Sequence, residues 1–325
     1  MYLGAVLQEV ESGNGTKCWT LSSEKYLEAA IKNVEGKLSK EGQKLPSKCD
    51  TPFTSCYHPA EDVSPELNAT DLQYYQESIG VLRWAVEIGR LDILLEVALL
   101  SSHLALPRDG HLQQVYHIFG YLKKSPRRRV FLDPDHPDIS EDRFRKFEWE
   151  DFYKGVKEAI PLDLLEARGN FMSTHCFVDA NHGADKVTRR SQTGILLFCN
   201  TAPVIWYSKR QNGVEVSTFG SEFMALKTAT ELVKALRYKL RMFGVPIVGP
   251  TNMFCDNEAV FKNASTHEST LNKKQHSIVY HYCREAVAAG ICRLAKEDSK
   301  TNLVDLFTKM LPATKREELL DYFMY

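Results

Sequence analysis

The sequence predicts a molecule of two parts, a mainly helical first half behind an N-terminal β-hairpin and a second half that is an α/β domain on a mixed sheet. Three observations lead there. From Phe171 onward three strand-like runs follow one another, "FMSTHCFVD" (171–179), "QTGILLFC" (192–199) and "PVIWYSKR" (203–210), rich in the β-branched and aromatic residues that suit a pleated surface. A long helix, a short strand ending at Cys255, two more helices, a strand at "GICRLAKE" and a final helix come next, and three strands followed by helix–strand alternation describe a mixed, five-stranded sheet. Before residue 133 the apolar positions instead recur at helical spacing.

The elements follow in order. "MYLGAVLQEV" alternates apolar with small or polar residues, "SGNGTK" is a turn signal and "CWTLS" a second strand, which together make a hairpin. "SEKYLEAAIKNVEGKL" opens on a serine cap. Residues 46–68 are rich in Pro, Ser, Thr and Cys and read as a loop. Two longer helices, "ATDLQYYQESIGVLRWAVEIGR" and "LDILLEVALLSSHLAL", precede "GHLQQVYHIFGYLKK", which ends at Ser125-Pro126. Residues 133–170 have no sustained period and hold the domain boundary. The expected division is 1–135, a linker over 136–170, and 171–325; 325 residues suffice for a core in each half.

Composition narrows the function classes. With 43% hydrophobic and 26% charged residues the chain is neither disordered, collagen-like nor a disulfide scaffold. A net charge of −1 supplies no global positive field, so any nucleic-acid contact must come from local patches. Eight scattered cysteines without a C-x-x-C pair suit free thiols in a reducing compartment. Cys49, Cys56 and His58 are poorly spaced for zinc. The longest apolar run, "ILLEVALL" (93–100), contains Glu96 and falls far short of the roughly 20 residues of a membrane span. No signal-peptide pattern opens the chain. The expected setting is the cytoplasm or nucleus, without secretion or a membrane partner.

Four acidic residues stand out, each with an ordinary reading beside a chemical one. Asp179 closes a strand at "CFVDANHG", sharing a face with Phe177, and alone is a common turn residue. Glu222 precedes Leu226, Ala229, Val233, Leu236 and Leu240 on one helical stripe. A first-turn acid gains only about 0.3–1 kcal/mol from the helix dipole, whereas an unpaired carboxylate on a core-facing stripe costs more. Asp256 ends the strand "TNMFC", and either it or Asn257 caps the helix "EAVFKN". Asp305, in the last helix "TNLVDLFTKML", has Lys309 four residues on, a surface pair worth about 0.3–0.5 kcal/mol.

Taken together, the four propose carboxylates delivered to one place by strand ends and helix faces. Such a cluster cannot stay ionised without cations, and Mg²⁺, a hard ion, suits carboxylate oxygen. Two ions about 3.5–4 Å apart would activate a water and stabilise the leaving oxygen of a phosphodiester, with Mn²⁺ as the expected substitute for Mg²⁺.

Residues 171–325 resemble the ribonuclease H domain of copia-type LTR retrotransposon polyproteins, through "FVDA", "RRSQTG", "IWYSKRQ", "STFGSEFMAL", "CDNEA", "REAVAAG" and "NLVDLFTK" in the family's order. The resemblance implies a ribonuclease H-like sheet with helices on both faces, and Asp179, Glu222, Asp256 and Asp305 as its metal-binding catalytic set. The first half resembles the end of the reverse transcriptase of the same polyproteins, namely the last palm strands, thumb and connecting region. It does so through "YLG", "LSSEKYL", "TPF", "YYQESIGVLRWA" and "GRLDILLEVALLSSHLALPRDGHLQQVYHIFGYLKK". The family's Tyr-x-Asp-Asp hairpin would precede "MYLG". Polymerisation is therefore not expected of this chain alone, and the upstream polymerase domain is an expected partner.

Two departures accompany the likeness. Asp298 stands in "AKEDSKTNLVD" where many relatives carry a histidine, and "NKKQHSIVYHY" has Gln275-His276-Ser277 in place of Lys-His-Ile-Asp. His276 and His281 read as helix residues with packing or surface roles.

The implied activity is endonucleolytic cleavage of the RNA strand of an RNA–DNA hybrid during reverse transcription, leaving 3′-hydroxyl and 5′-phosphate ends. A non-catalytic remnant, or a structural or nucleic-acid-binding piece of a truncated reverse transcriptase, is the alternative. A hybrid is gripped mainly through phosphates and 2′-hydroxyls. Candidate cations lie in "KKSPRRR" (123–129), "KVTRR" (186–190), "SKR" (208–210) and "KALRYKLR" (234–241), with Arg128, Lys209 and Arg210 foremost. Asn257 can both donate to and accept from a ribose hydroxyl.

Overall fold

The computed structural model describes residues 3–11, 15–145, 148–266 and 277–325. The predicted hairpin forms from β1 (Val6–Glu11) and β2 (Lys17–Ser22), paired antiparallel. Behind it, α1 (Glu24–Lys40), α2 (Ala69–Glu87), α3 (Leu94–Ser101) and α4 (Asp109–Lys124) make the helical half. Leu27, Ile31, Tyr75, Ile79, Leu82, Val115 and Phe119 fill its core.

The helix expected over 91–106 is shorter than its pattern. Arg90 donates to both oxygens of Asp92 (2.8 and 2.6 Å) and the chain turns there as a 3₁₀ segment, Leu91–Ile93. At the other end the Ser101 and Ser102 hydroxyls donate to the carbonyls of Val97 and Leu99, both at 2.6 Å, a back-bonding that competes with the helical ladder. A third strand that the sequence pattern hid, β3 (Arg129–Leu132), pairs with β2. Its outer edge takes up the C-terminus, Arg129 N donating to Tyr325 O at 2.7 Å.

The second sheet holds β4 (Thr174–Asn181), β5 (Gln192–Cys199), β6 (Ala202–Arg210), then β7 (Thr251–Cys255) after α5 (Thr218–Met242), and β8 (Cys292–Lys296) after α6 (Glu258–Ser265) and α7 (Ser277–Ala288). The strand order is β6-β5-β4-β7-β8, antiparallel from β6 to β4 and parallel from β4 to β8. This is the mixed five-stranded sheet that the sequence predicts.

Both faces of the sheet are covered, so β5 is apolar along its middle and alternates between two cores. Ile195 and Leu197 join Val178, Met253, Phe223, Leu226 and Val233 under α5 and α7. Leu196 and Phe198 join Val304, Phe307 and Phe323 on the other face, where α8 (Ala313–Leu320) packs and Leu91 and Val130 arrive from the first half. A buried ion pair, Arg316 to Glu96 at 3.2 Å, crosses the same junction. Among the described residues of 136–170 the only regular element is a 3₁₀ turn, Glu141–Arg143. The segment lies along the second half, with Arg143 on Glu297 (2.7 Å) and Glu158 between Arg237 (2.9 Å) and Arg241.

The final helix predicted around Asp305 is not an α-helix. Leu303–Phe307 is a 3₁₀ turn capped by Asn302, and all five residues are buried. A helix with one apolar stripe would expose part of this set; a tight turn wedged between β5 and α8 does not. No helix among the described residues is long and apolar enough to cross a membrane.

Candidate active site

Register brings the first two acids together. Val178 on β4 lies level with Cys255 on the parallel strand β7, so Asp179 and Asp256, each one residue further on, lie side by side. Asp179 is still within β4, which runs on to Asn181 instead of closing at the aspartate, and Asp256 is just past the end of β7. Glu222 comes from α5. Ser217 accepts from Gly220 N (3.2 Å) as its cap, which starts the helix at Thr218 and puts Glu222 in the second turn, not the first. The dipole role considered for it therefore lapses. Its carboxylate, 6% exposed, accepts from Ala180 N at 3.0 Å.

Asp179, Glu222 and Asp256 each offer an oxygen such that the three lie within 4.8 Å of one another. Among the described residues no other three His, Cys, Asp or Glu side chains converge in this way, Cys49, Cys56 and His58 included. Asp305 stands beside the trio and is reached through Lys309. The Lys309 ammonium is 2.7 Å from Asp305 Oδ1 and 3.4 Å from Asp179 Oδ2. The Thr308 hydroxyl also donates to Asp179 Oδ2.

The close approach of the 303–308 turn depends on Gly194. It is the cross-strand partner of Asp179, and a Cβ there would sit 2.6 Å from Thr308 Cγ2 and 3.1 Å from Val304 O. Ser208 on β6 ties the turn down, donating to Phe307 O at 2.6 Å, and Asn181 donates to Thr308 O at 3.0 Å.

Electrostatics follow from crowding and burial. Burial, then the charges of Asp305 and Asp256, push Asp179 up to about 6 against the opposing pull of Lys309 and Thr308. Burial, then Asp179 and Asp256, push Glu222 up to about 9. The cluster titrates as a unit and holds protons where isolated carboxylates would not. Burial also raises Asp305, although Lys309 opposes it. Burial keeps the neighbouring Cys255 thiol protonated, so no thiolate competes for a cation.

The expected capping ambiguity resolves cleanly. Asn257 Oδ1 accepts from Ala259 N and Val260 N, both at 3.1 Å, and caps α6, leaving the Asp256 carboxylate out of that role. Of the candidate cations, Lys209 is exposed at the end of β6 and Arg210 pairs with Asp185. Arg128 is different: it is drawn into an internal network with Glu317, with Tyr121 Oη (2.8 Å) and with Asp92 (3.7 Å). A guanidinium so engaged is not open to a phosphate, which corrects the expectation for this residue. Much of its run is paired as well, Lys123 with Glu35 and Lys124 with Asp50.

Over 245 residues, 75% of its length, the chain is 24% identical to the retrovirus-related Pol polyprotein from transposon RE1 of Arabidopsis thaliana. It is 24% identical over 316 residues, 95% of its length, to that from transposon TNT 1-94 of Nicotiana tabacum. This chain is homologous to part of the copia-type Pol polyproteins. It spans 14% and 20% of those two relatives. No family model matches it. Among solved structures, ribonuclease H1 from the halophilic archaeon Halobacterium salinarum aligns with 47% of this chain and 98% of its own, at 14% identity and a TM-score of 0.32.

In this Pol homologue Asp298 and Ser277, the described residues of the two departures from the family's pattern, are exposed. Asp298 accepts from Lys300 N (2.8 Å) in an exposed turn. His281 Nδ1 shares a hydrogen bond of 2.8 Å with Tyr153 Oη on an exposed helix face. Gln275 and His276 lie outside the described residues. Sequence reasoning missed Thr308, Lys309 and Gly194 as parts of the site. The only local signal was the Asp305/Lys309 spacing, which reads as an ordinary surface pair.

Proposed function

We propose that this chain is a divalent-metal-dependent ribonuclease H that cleaves the RNA strand of an RNA–DNA hybrid endonucleolytically during reverse transcription. The observation that carries the reading is the convergence of Asp179, Glu222 and Asp256, from β4, α5 and the end of β7, within 4.8 Å. Homology to transposon Pol polyproteins supports it.

The donor set fits a hard divalent ion. It consists of carboxylate oxygens without thiolate or imidazole, and two of its members are pushed above the usual carboxylate range, the state an added cation relieves. Asp179, Glu222 and Asp256 would hold Mg²⁺, with Asp305 completing the set and Mn²⁺ able to replace it. Bound there as a pair, such ions supply an activated water and charge neutralisation at the leaving oxygen.

The chain's own groups prepare the site. Thr308 and Ala180 N fix the Asp179 and Glu222 carboxylates through hydrogen bonds. Lys209, and Arg210 through the guanidinium nitrogens that its pair with Asp185 leaves open, lie at the same end of the sheet and are suited to hold phosphates, and Asn257 adjoins the cluster where a ribose hydroxyl would lie. Leu7 and Trp19, exposed on one face of the β1/β2 hairpin, offer an apolar surface to the upstream polymerase part of the polyprotein.

The test is incubation of the purified chain with labelled RNA–DNA hybrid and Mg²⁺ or Mn²⁺, beside Asp179→Asn and Asp256→Asn. Wild type should cut the RNA strand and both variants should lose at least about a hundredfold in rate. Intact RNA with wild type, or equal cutting by the variants, would sink the reading.

A further inference from the structure

Lys309 is the residue at the acidic cluster with no assigned part. It follows the 303–307 turn, and its position is set by backbone as well as charge, Lys309 N donating to Asp305 O at 2.9 Å. Its ammonium contacts two carboxylates from different elements, Asp305 Oδ1 at 2.7 Å and Asp179 Oδ2 at 3.4 Å. The side chain is 36% exposed while Asp179 is 1% exposed. The lysine thus reaches inward from the rim to a buried acid, carrying one positive charge towards four carboxylates. Lysine is a flexible stem bearing a compact point charge, and a partly exposed stem can withdraw to solvent without disturbing the sheet.

We infer that Lys309 is a tethered cation that balances Asp179 in the metal-free protein and must yield that carboxylate to the incoming divalent ion. The inference rests on the metal-binding reading of the cluster. A plain i, i+4 surface pair would need only Asp305; the second contact, to the acid on β4, is what such a role requires. The two positive charges compete for one carboxylate. The lysine therefore weakens metal binding while stabilising the metal-free fold, and it restrains occupancy until the divalent concentration is high enough to displace it.

These two consequences have opposite signs, which separates the proposal from a simple structural role. Lys309→Met keeps the stem and removes the charge. Mn²⁺ binding to the full chain is followed by the loss of the free-ion EPR signal, and the melting temperature is recorded without metal. The variant should bind Mn²⁺ roughly three- to fivefold more tightly, the upper scale of one partly exposed ion pair, and should melt lower than wild type in the absence of metal. Lys309→Arg, which keeps the charge, should stay within about twofold of wild-type affinity.

Unchanged or weaker Mn²⁺ binding by Lys309→Met, with Lys309→Arg folded and binding normally, overturns the inference and leaves the lysine a structural tie. Equal tightening by both variants overturns it too, since charge would then not be the cause. Asp179→Asn is the control for the underlying reading. If it binds Mn²⁺ as wild type does, or wild type binds none, the metal site itself is wrong, an outcome distinguishable from failure of the lysine's role.

Discussion

Two aspartates in different regions of this molecule are buried almost completely, and their surroundings act on them in opposite ways. Where the halves meet, Asp92 is fully buried, yet its carboxyl lies well below the usual range, at about 2. Burial works to raise it, but Arg90, bonded to both its oxygens, together with Arg128 and Arg316, outweighs burial. On β4, beside the end of β7, Asp179 is buried to the same degree and is pushed up to about 6. Burial alone therefore does not set the direction. What differs is the count of partners: Asp92 has three arginines around it, whereas four acids share Lys309. Asp92 is balanced by the protein's own cations, although burial raises Glu96 beside it; the second region is left short of positive charge, as expected of a site that takes its cation from solution.

The sharpest break in the comparison comes from neutralising each acid in turn. Asp92→Asn strands Arg90 in the interior without its charge partner, and removing one member of a buried pair costs about 3–5 kcal/mol. The melting temperature should fall by about 10 °C, measurable by calorimetry at neutral pH. A drop of only a degree or two would show that the junction network is dispensable.

The opposite substitution should stabilise. Asp179 and Glu222 have folded-state pKa values raised above the ordinary range. The stability they contribute is complete below about pH 4 and is lost as pH rises, through about 6 for Asp179 and about 9 for Glu222. Metal-free Asp179→Asn or Glu222→Gln should therefore be more stable than wild type at pH 8, by on the order of 1–3 kcal/mol, and should lose the advantage near pH 4. Denaturant melts in chelator at both pH values test this. A variant less stable than wild type at pH 8 would mean that the cluster is already balanced.

Metal should do reversibly what those substitutions do permanently. At a hundredfold excess over its dissociation constant a ligand of the folded state adds about 2.7 kcal/mol. Because binding must release the protons held by Asp179 and Glu222, the gain in melting temperature on adding Mg²⁺ should be larger at pH 8 than at pH 5.5. Equal gains at both pH values would detach the metal from these acids. Gly194→Ala should erode the same gain at a cost of about 1–3 kcal/mol in stability, since its new methyl meets Thr308 Cγ2 and Val304 O and must push the 303–308 turn away from Asp179.

The sheet was legible because its signals are local, whereas Asp179 and Asp256 read locally as a turn residue and a cap and stood out only in the order of the resemblance. Glu222 stood out as a carboxylate on an apolar helical stripe, and the runs ending at Asp179 and Asp256 read as strands over a few residues. The sequence could not say whether Asp256 or Asn257 caps α6; the hydrogen bonds to Ala259 N and Val260 N assign that to Asn257. Long-range partnerships were not legible. Arg128 looked like an open cation, and only the fold brings Glu317 to it from 189 residues away. β3 is too short to show a period, and its partners are β2 and the C-terminus. Lys309 announced its pair with Asp305 but not its contact with Asp179, and the 3₁₀ form of the intervening turn depends on packing against Gly194, which no helical pattern reveals.

The cations repeat the contrast among the acids, with smaller effects. Arg128 is enclosed by Glu317, Tyr121 and Asp92, while Lys209 is exposed at the end of β6 with no ion pair among the described residues. Arg128→Ala should therefore cost stability and leave the salt dependence of hybrid binding unchanged. Lys209→Ala should change stability by no more than about 0.5 kcal/mol. Because a phosphate contact contributes about one unit to the slope of log affinity against log salt concentration, that slope should become shallower by about one in Lys209→Ala. Fluorescence anisotropy with a labelled hybrid in Ca²⁺, over a series of salt concentrations, measures it. A shallower slope in Arg128→Ala and none in Lys209→Ala would reverse the assignment, and would mean that the network at the junction opens when the hybrid binds.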